Sequence, residues 1–196
     1  MKEIKSVAVF CGSSMGNDTQ IIEQASRLGE FLAKKEVKLI YGAAKIGIMG
    51  EVAKGALDHK GEVVGVIPEF LKLKEVVHHG LTELHTTNNM HERKLKIQEV
   101  SDAFITLPGG FGTFEELFEI ITWSQLGLHQ KPIGLLNTNG YYDALIEMLE
   151  NMMKKGFLKM ENFNLLLVDS SIEGLWEKLQ NFEPQMVPKW LNPERS

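Results

Sequence analysis

Short apolar runs rich in β-branched residues alternate along this chain with longer stretches whose apolar residues recur at helical spacing. This alternation is typical of βαβ units. It predicts seven strands, at residues 7–10, 37–41, 63–67, 81–85, 103–107, 133–136 and 165–168. It also predicts six helices, at residues 18–35, 49–60, 90–100, 113–126, 142–155 and 171–181.

Most of the predicted strands are too uniformly apolar for a sheet with one face in water. A parallel strand covered by helices above and below has no solvent side that could carry polar residues. The pattern therefore predicts an α/β fold, a doubly wound, Rossmann-like parallel sheet of about seven strands with helices on both faces.

The length of 196 residues suits one domain. We expect a single Rossmann-like domain over residues 1–182. Residues 183–196 carry Pro184, Pro188 and Pro193 around Trp190, and this composition predicts an irregular tail that Trp190 could anchor.

The formal net charge is −5, from 21 basic and 26 acidic residues, so there is no overall positive field to hold a nucleic acid. Cys11 is the single cysteine, which excludes an intramolecular disulfide and favours a reducing compartment. No segment approaches the roughly 18 to 20 apolar residues of a membrane span, and the apolar run near the amino terminus is too short for a signal peptide. We expect a cytoplasmic protein with no membrane or nucleic-acid partner.

Ligands of open α/β sheets bind outside the carboxyl ends of the strands. The segment 108–113 lies there, and Gly109, Gly110 and Gly112 lack the Cβ atoms that would keep a ligand from the backbone. Its amides, together with the start of a helix near Thr113, would suit a phosphate monoester. The alternative is a tight strand-to-helix turn with no ligand.

Glu116 has two interpretations. Thr113 and Glu116 have the spacing of a capping box, and taken alone this structural role is the better one. However, Glu115, Glu116 and Glu119 place three carboxylates beside the proposed phosphate loop, which requires a cationic or electron-poor partner.

Cations also lie near the start of a predicted helix, where they oppose its dipole. Asn88 or Asn89 is expected to cap this helix, with Arg93 and Lys94 in its first turns. An anionic partner would explain the arrangement, and a solvated charged face is the alternative. Glu69 follows a strand end and could accept hydrogen bonds from sugar hydroxyls or simply be an exposed loop carboxylate.

Other chemistry is not favoured by the sequence. Gly42, Gly47 and Gly50 do not have the spacing of the dinucleotide-binding motif. The histidines lack a carboxylate or cysteine at ligand spacing, so we predict no metal and no cofactor.

The motifs resemble those of a known family. Residues 90–94 (Met-His-Glu-Arg-Lys) and 108–116 (Pro-Gly-Gly-Phe-Gly-Thr-Phe-Glu-Glu) resemble the paired signature of the LONELY GUY (LOG) family, cytokinin riboside 5'-monophosphate phosphoribohydrolases. Further similar segments extend the resemblance over roughly residues 4–180. They are residues 10–14, 66–69, 80–84 and 123–129. One departure is Gly42-Ala43-Ala44, where the family usually has three glycines.

The resemblance implies that residues 110–113 hold the 5'-phosphate and that Arg93 and Glu116 form the catalytic pair. The predicted substrate-binding residues are Glu69, Arg93, Lys94, Gly109, Gly110, Phe111, Gly112, Thr113, Phe114, Glu115 and Thr122. The resemblance also implies a homodimer with the site near the subunit boundary.

The implied reaction passes through an oxocarbenium-like sugar, which the Glu116 carboxylate would stabilise while Arg93 holds the phosphate or positions Glu116. A non-catalytic carrier of a nucleotide or phosphorylated cofactor is the alternative function. Proteins of this kind have also been labelled lysine decarboxylases, but the sequence identifies neither a Schiff-base lysine nor a partner for a pyridine ring nitrogen. The base is left open, with Met49, Met90, Phe111 or Trp123 available for an apolar N6 substituent.

Overall fold

The computed structural model describes residues 3–72 and 77–184. In these two ranges, seven strands form one sheet in which every pairing between strands is parallel. The strands are β1 (Ser6–Phe10), β2 (Lys38–Tyr41), β3 (Val63–Pro68), β4 (Glu83–Thr87), β5 (Ala103–Thr106), β6 (Ile133–Leu136) and β7 (Leu166–Asp169). Their order is β4-β3-β2-β1-β5-β6-β7, which confirms the predicted doubly wound sheet.

Eight helices accompany the sheet in the described residues. They are α1 (Thr19–Lys34), α2 (Gly47–Asp58), α3 (Glu69–Lys72), α4 (Met90–Val100), α5 (Phe111–Gln125), α6 (Asp143–Lys154), α7 (Met160–Phe163) and α8 (Ile172–Gln180), with a 3₁₀ turn at Thr138–Gly140. The six predicted helices are all present. The four-residue helices α3 and α7 were not predicted, because one turn is too short to show a helical period.

Alternation along the central strand explains why both faces are covered. Val7 and Val9 of β1 pack into one core cluster with residues of α1, α2 and α8. Ala8 and Phe10 point the other way, into a second cluster with residues of α4, α5 and α6. Since successive side chains of a strand face opposite sides, the four consecutive apolar residues 7–10 of β1 need a helical layer on each side.

Strand β4 was predicted at residues 81–85 and lies at Glu83–Thr87. Among the described residues it is an edge strand that pairs with β3 alone, with Val64 opposite Glu83. Its side chains are largely exposed, whereas Leu81, just before it, packs against the first core cluster. The apolar pattern therefore indicated residues just before β4, such as Leu81, instead of the strand itself.

The predicted irregular tail lies outside the described residues from position 185 onward, and with it Pro188, Trp190 and Pro193. Within residues 3–72 and 77–184, no helix has both the length and the apolar character needed to span a bilayer.

Candidate active site

The candidate site lies where the strand order reverses, between β1 and β5. Strand β1 pairs with β2 on one side and with β5 on the other, so the connections that leave β1 and β5 run in opposite directions. The two loops touch, because the Gly12 N–H donates to the Pro108 carbonyl at 3.1 Å. This contact brings the predicted phosphate segment against the loop after β1.

Helices α2 and α5 begin beside these loops, and they differ in whether their first N–H groups are free to bind a ligand. At the start of α2, the N–H groups of Ile48 and Met49 donate to the carbonyls of Ser14 and Gly12 at 3.4 and 3.3 Å. In α5, the first internal bond runs from the Phe114 N–H to the Gly110 carbonyl at 3.1 Å. The N–H groups before Phe114 belong to the first turn, whose amides have no hydrogen-bond acceptor within any α-helix. The glycine-rich segment at α5 is therefore the better anion site.

The predicted capping box is wrong. Helix α5 begins at Phe111 after an N-cap at Gly110, which has no side chain to cap with. Thr113 and Glu116 therefore lie inside the first turns instead of at the cap and third positions. Glu116 is bonded to Arg93 and is not committed to a backbone amide. The sequence misplaced the helix start because glycines have low helix propensity.

The three glycines of the loop serve different purposes. A Cβ at Gly109 would lie 2.1 Å from Thr113 Oγ1, so packing within the protein requires this glycine. A Cβ at Gly110 or Gly112 would meet no atom of the described chain within 4 Å. Neither of these two has a positive φ that would demand glycine. Their missing side chains leave open space at the amino terminus of α5, where a ligand anion can approach the backbone.

Arg93 is held by three elements. Helix α4 places it one turn after Asn89, whose side chain caps the helix by accepting from the Glu92 N–H at 2.9 Å, as predicted. Its Nε donates to the Val66 carbonyl at 3.2 Å and its Nη1 to Glu116 Oε1 at 2.6 Å. A Cβ at Gly42 would lie 2.6 Å from Arg93 Nη2, so this glycine makes room for the guanidinium.

The Arg93–Glu116 ion pair is buried, with each side chain only 11% exposed. Burial raises the pKa of Glu116 above its ordinary value, and the Arg93 guanidinium opposes that shift. Cys11 lies against the same cavity, and burial followed by the nearby Glu116 charge raises the pKa of its thiol. The thiol is therefore neutral and is not a nucleophile here.

Lys94 pairs with the other two carboxylates of α5. Its Nζ donates to Glu115 Oε1 at 2.6 Å and to Glu119 Oε1 at 2.9 Å. Partial burial lowers the pKa of Lys94, but the two carboxylates outweigh it and the pKa is raised. The cations of α4 and the acids of α5 are thus largely each other's partners, which the sequence could not show.

A cavity of about 270 Å³ opens at this position. Its polar wall includes Thr113, Glu115 and the ion pair, and its apolar wall is formed by residues from several elements. The apolar residues are Val9, Phe10, Met49, Leu71, Met90, Ile97 and Phe111. A lining that combines apolar side chains with a few polar groups is usual for a small-molecule site.

Seven of the predicted site residues line this cavity: Arg93, Gly110, Phe111, Gly112, Thr113, Glu115 and Glu116. Gly109 lies on a neighbouring cavity that shares the loops after β1 and β5. Lys94 is connected to the site through Glu115.

Three other predicted residues are not brought to the cavity within this chain. Glu69 is exposed and pairs with Lys72 at 3.3 Å. The Phe114 ring packs against the buried Tyr142 ring. Thr122 donates to the Phe118 carbonyl at 2.7 Å, two turns further along α5.

The predicted site residues do not include Cys11, Gly12, Ser13, Gly42 and Leu71, which also line the cavity. Four of them directly follow β1 or β2, where the rule that ligands bind at strand carboxyl ends places a site. The departure at Gly42-Ala43-Ala44 also has a structural meaning. Ala43 adopts a φ of 67°, a left-handed conformation that favours glycine.

Fold and site together define a doubly wound α/β protein with an open helix amino terminus beside a buried arginine–glutamate pair. A family model described as possible lysine decarboxylase matches residues 49–179. The chain is 48% identical over 171 residues to a cytokinin riboside 5'-monophosphate phosphoribohydrolase of Rhodococcoides fascians, covering 87% of this chain and 86% of that protein. It is 39% identical over 183 residues to one of Arabidopsis thaliana, covering 93% and 86%.

The chain therefore belongs to the LOG family of cytokinin riboside 5'-monophosphate phosphoribohydrolases, which confirms the resemblance. Similar solved structures include the molybdenum cofactor binding protein of Rippkaea orientalis, with a TM-score of 0.69, 22% identity and coverage of 92% of this chain and 98% of that one. The Moco carrier protein of Chlamydomonas reinhardtii has a TM-score of 0.68 at 18% identity, covering 91% and 96%. At such identities these two show a common fold alone.

Proposed function

We propose that this protein hydrolyses the N-glycosidic bond of a purine nucleoside 5'-monophosphate to give the free base and ribose 5-phosphate. One observation carries the proposal: the open amides at the start of α5 and the buried Glu116 carboxylate line the same cavity. A nucleotide whose phosphate sits on those amides has its sugar within reach of an acidic group. The names of the relatives support the same activity.

The reaction requires a group that stabilises positive charge on the sugar. As the bond from C1' to the base nitrogen breaks, its electron pair leaves with the base and the ribose becomes oxocarbenium-like. The oxygen of water then bonds to C1', and the base takes up a proton. Glu116 supplies negative charge beside C1' and orients or deprotonates the water. Because it does not cap its own helix, its carboxylate is available for this role.

The contacts of Arg93 favour a positioning role. Its Nε and Nη1 are bonded to the Val66 carbonyl and to Glu116, so the guanidinium fixes the carboxylate against the cavity. The phosphate is then left mainly to the amides of α5.

Lys94 does not have the character of a Schiff-base lysine. Its ammonium is held by two carboxylates and its pKa is raised, so it is protonated near neutral pH and is a poor nucleophile. This argues against a pyridoxal phosphate reaction at this site.

The base that we propose is an N6-modified adenine of cytokinin type, with plain adenine also accepted. Met49, Met90 and Phe111 line the cavity and offer apolar surface for an N6 substituent, whereas Trp123 is not among the lining residues. The proposal for the base rests on the chemistry of the lining, because the same cavity holds the apolar side chains and the Arg93–Glu116 ion pair.

The decisive experiment is incubation of the purified protein with AMP and with N6-isopentenyl-AMP, followed by chromatography for free base and ribose 5-phosphate. Hydrolysis predicts equal molar amounts of both products, with faster release from the isopentenyl nucleotide. Tight binding of nucleotide without release of base would contradict hydrolysis and favour the carrier function.

The pH dependence of turnover should follow the ionisation of the Glu116 carboxyl group. Burial raises its pKa above 4.5, and the ionised form is the one that stabilises the sugar cation. We expect kcat at saturating nucleotide to fall as the pH decreases through a value above 4.5, and to be restored at higher pH. The residual kcat of the Glu116→Gln variant should not show this decrease at low pH. A wild-type profile that is flat down to pH 4.5 would contradict the assignment.

Gly112 should be required for binding and not for folding. The Cβ of a helical residue points toward the helix amino terminus, so Gly112→Ala places a methyl group in the space proposed for the phosphate. We expect KM for the nucleotide to rise roughly tenfold or more, while the free energy of unfolding stays the same or rises by up to about 1 kcal/mol. Steady-state kinetics and thermal melting check the two parts. An unchanged KM would place the phosphate elsewhere.

We also propose a cytoplasmic homodimer. Apolar side chains of α5 are exposed on the single chain, with Phe111 96% and Phe118 40% exposed, and Leu95 of α4 is exposed as well. A second copy would bury such surface. Light scattering after size-exclusion chromatography should give twice the chain mass of 22.1 kDa, and a mass of one chain would disprove the dimer.

A further inference from the structure

The loop after β6 places two consecutive tyrosines against the proposed phosphate loop. Tyr142 is buried and its hydroxyl donates to the Leu107 carbonyl at 2.7 Å. Tyr141 is 45% exposed and its hydroxyl donates to the Gly109 carbonyl, also at 2.7 Å. The two rings meet edge to face with centroids 4.9 Å apart. The carbonyls of Leu107 and Gly109, which flank Pro108, thus each accept a hydrogen bond from one of two consecutive tyrosines.

The Tyr141 bond acts on the most easily rotated peptide of the loop. The peptide between Gly109 and Gly110 has no Cβ on either side, so a flip of this unit meets little steric resistance. In a trans peptide the C=O and the following N–H point in opposite directions. Fixing the Gly109 carbonyl toward Tyr141 therefore turns the Gly110 N–H away from Tyr141. A flipped peptide would present a carbonyl oxygen where the N–H had been, and an oxygen repels an anion.

The loop that carries Tyr141 is itself anchored. The Thr138 hydroxyl donates to Gln24 Oε1, and Asn139 Nδ2 donates to Asp18 Oδ2 at 2.8 Å. Asn139 and Gly140 have φ values of 51° and 70°, so the backbone turns sharply just before Tyr141. The loop that presents the Tyr141 hydroxyl to the phosphate loop is thus fixed by hydrogen bonds to Gln24 and Asp18.

We propose that Tyr141 is a positioning residue that sets the affinity for the 5'-phosphate by locking the Gly109–Gly110 peptide with its N–H available to the anion. This inference rests on the proposed function of the loop and adds a residue to it. It predicts a loss that depends on the phosphate of the ligand and not on its base or sugar.

The test compares AMP with adenosine, which differ only in the phosphate, by calorimetric titration in a Glu116→Gln background so that nucleotide is not consumed. Tyr141→Phe removes one hydroxyl and keeps the ring. We expect its Kd for AMP to rise about fivefold, the scale of one hydrogen bond, with the Kd for adenosine unchanged. With Glu116 restored, KM for AMP should rise by a similar factor while kcat changes much less.

Tyr41→Phe is the matched control. The buried Tyr41 hydroxyl has no hydrogen-bond partner within residues 3–72 and 77–184, so its removal should leave both Kd values unchanged. Equal AMP affinity with and without the Tyr141 hydroxyl, or an equal loss for adenosine, would overturn the inference. AMP binding without any hydrolysis by the wild type would instead overturn the proposed function and leave the tyrosine lock standing. No AMP binding at all would overturn both.

Discussion

Glu116→Gln should lower kcat for base release by roughly 10²- to 10⁴-fold, the usual scale for losing an acid–base or charge-stabilising group. Glutamine keeps the size of the side chain and can still accept a hydrogen bond from Arg93, so the site geometry should persist. The missing feature is the negative charge beside C1'. The loss is expected in kcat, with KM for the nucleotide changed little because the phosphate is bound at the start of α5.

Glu119→Gln is the matched control for this experiment. Glu119 lies three residues further along α5 and is also ion-paired with a cation of α4, but it pairs with Lys94 and not with Arg93. Its activity should stay within a few-fold of the wild type. Circular dichroism and thermal melting show whether both variants are folded. Near-normal turnover of a folded Glu116→Gln protein would remove Glu116 from the mechanism.

Arg93→Ala should affect both stability and activity. It leaves the Glu116 carboxylate buried without its cation, and breaking a buried ion pair from one side costs about 3 to 5 kcal/mol. Chemical denaturation near pH 7.5 should show a lower free energy of unfolding by that order. Turnover should fall with it, because the carboxylate loses the group that holds it against the cavity.

The cost of Arg93→Ala should depend on pH in a defined direction. Burial already raises the pKa of Glu116 above 4.5, and without Arg93 nothing of similar strength opposes that shift. The folded state then holds a proton more tightly than the unfolded state, so stability increases as the pH falls toward 4.5 and decreases as it rises. The difference from wild type should be smaller at pH 5 than at pH 8. A difference that is independent of pH would show that lost packing, and not the stranded carboxylate, causes the effect.

Arg93→Lys separates charge from geometry. Lysine restores a cation but lacks the fork that bonds Val66 and Glu116 at the same time. We expect it to recover much of the lost stability and little of the lost kcat.

Much of the fold could be predicted from the sequence because each signal is local. Seven apolar runs marked seven strands, and their lack of a polar face required helices on both sides of the sheet. The predicted bounds were displaced by two residues at β4, where an edge strand has mostly exposed side chains and thus a weak apolar pattern. The prediction also missed α3 and α7, which consist of a single turn each.

The residue types at the site could be predicted from the sequence, and the family resemblance implied that Arg93 and Glu116 act as a pair. No local pattern showed that they form a buried ion pair. Arg93 and Glu116 are 23 positions apart and meet only because α4 and α5 pack on the same side of the sheet. The roles of the glycines also depended on the structure, since packing requires Gly109 whereas Gly110 and Gly112 face open space.

The sequence alone determined the doubly wound class, the position of the glycine-rich segment at a strand end and the identity of the charged residues near it, because these depend on periodicity and composition within short windows. Only the tertiary structure decided that Glu116 is a buried partner of Arg93 instead of a helix cap. The physical reason is that helix α5 starts two residues earlier than the pattern indicates, and this start changes which groups Glu116 can reach. Burial and pairing are properties of elements packed together, which no local pattern contains.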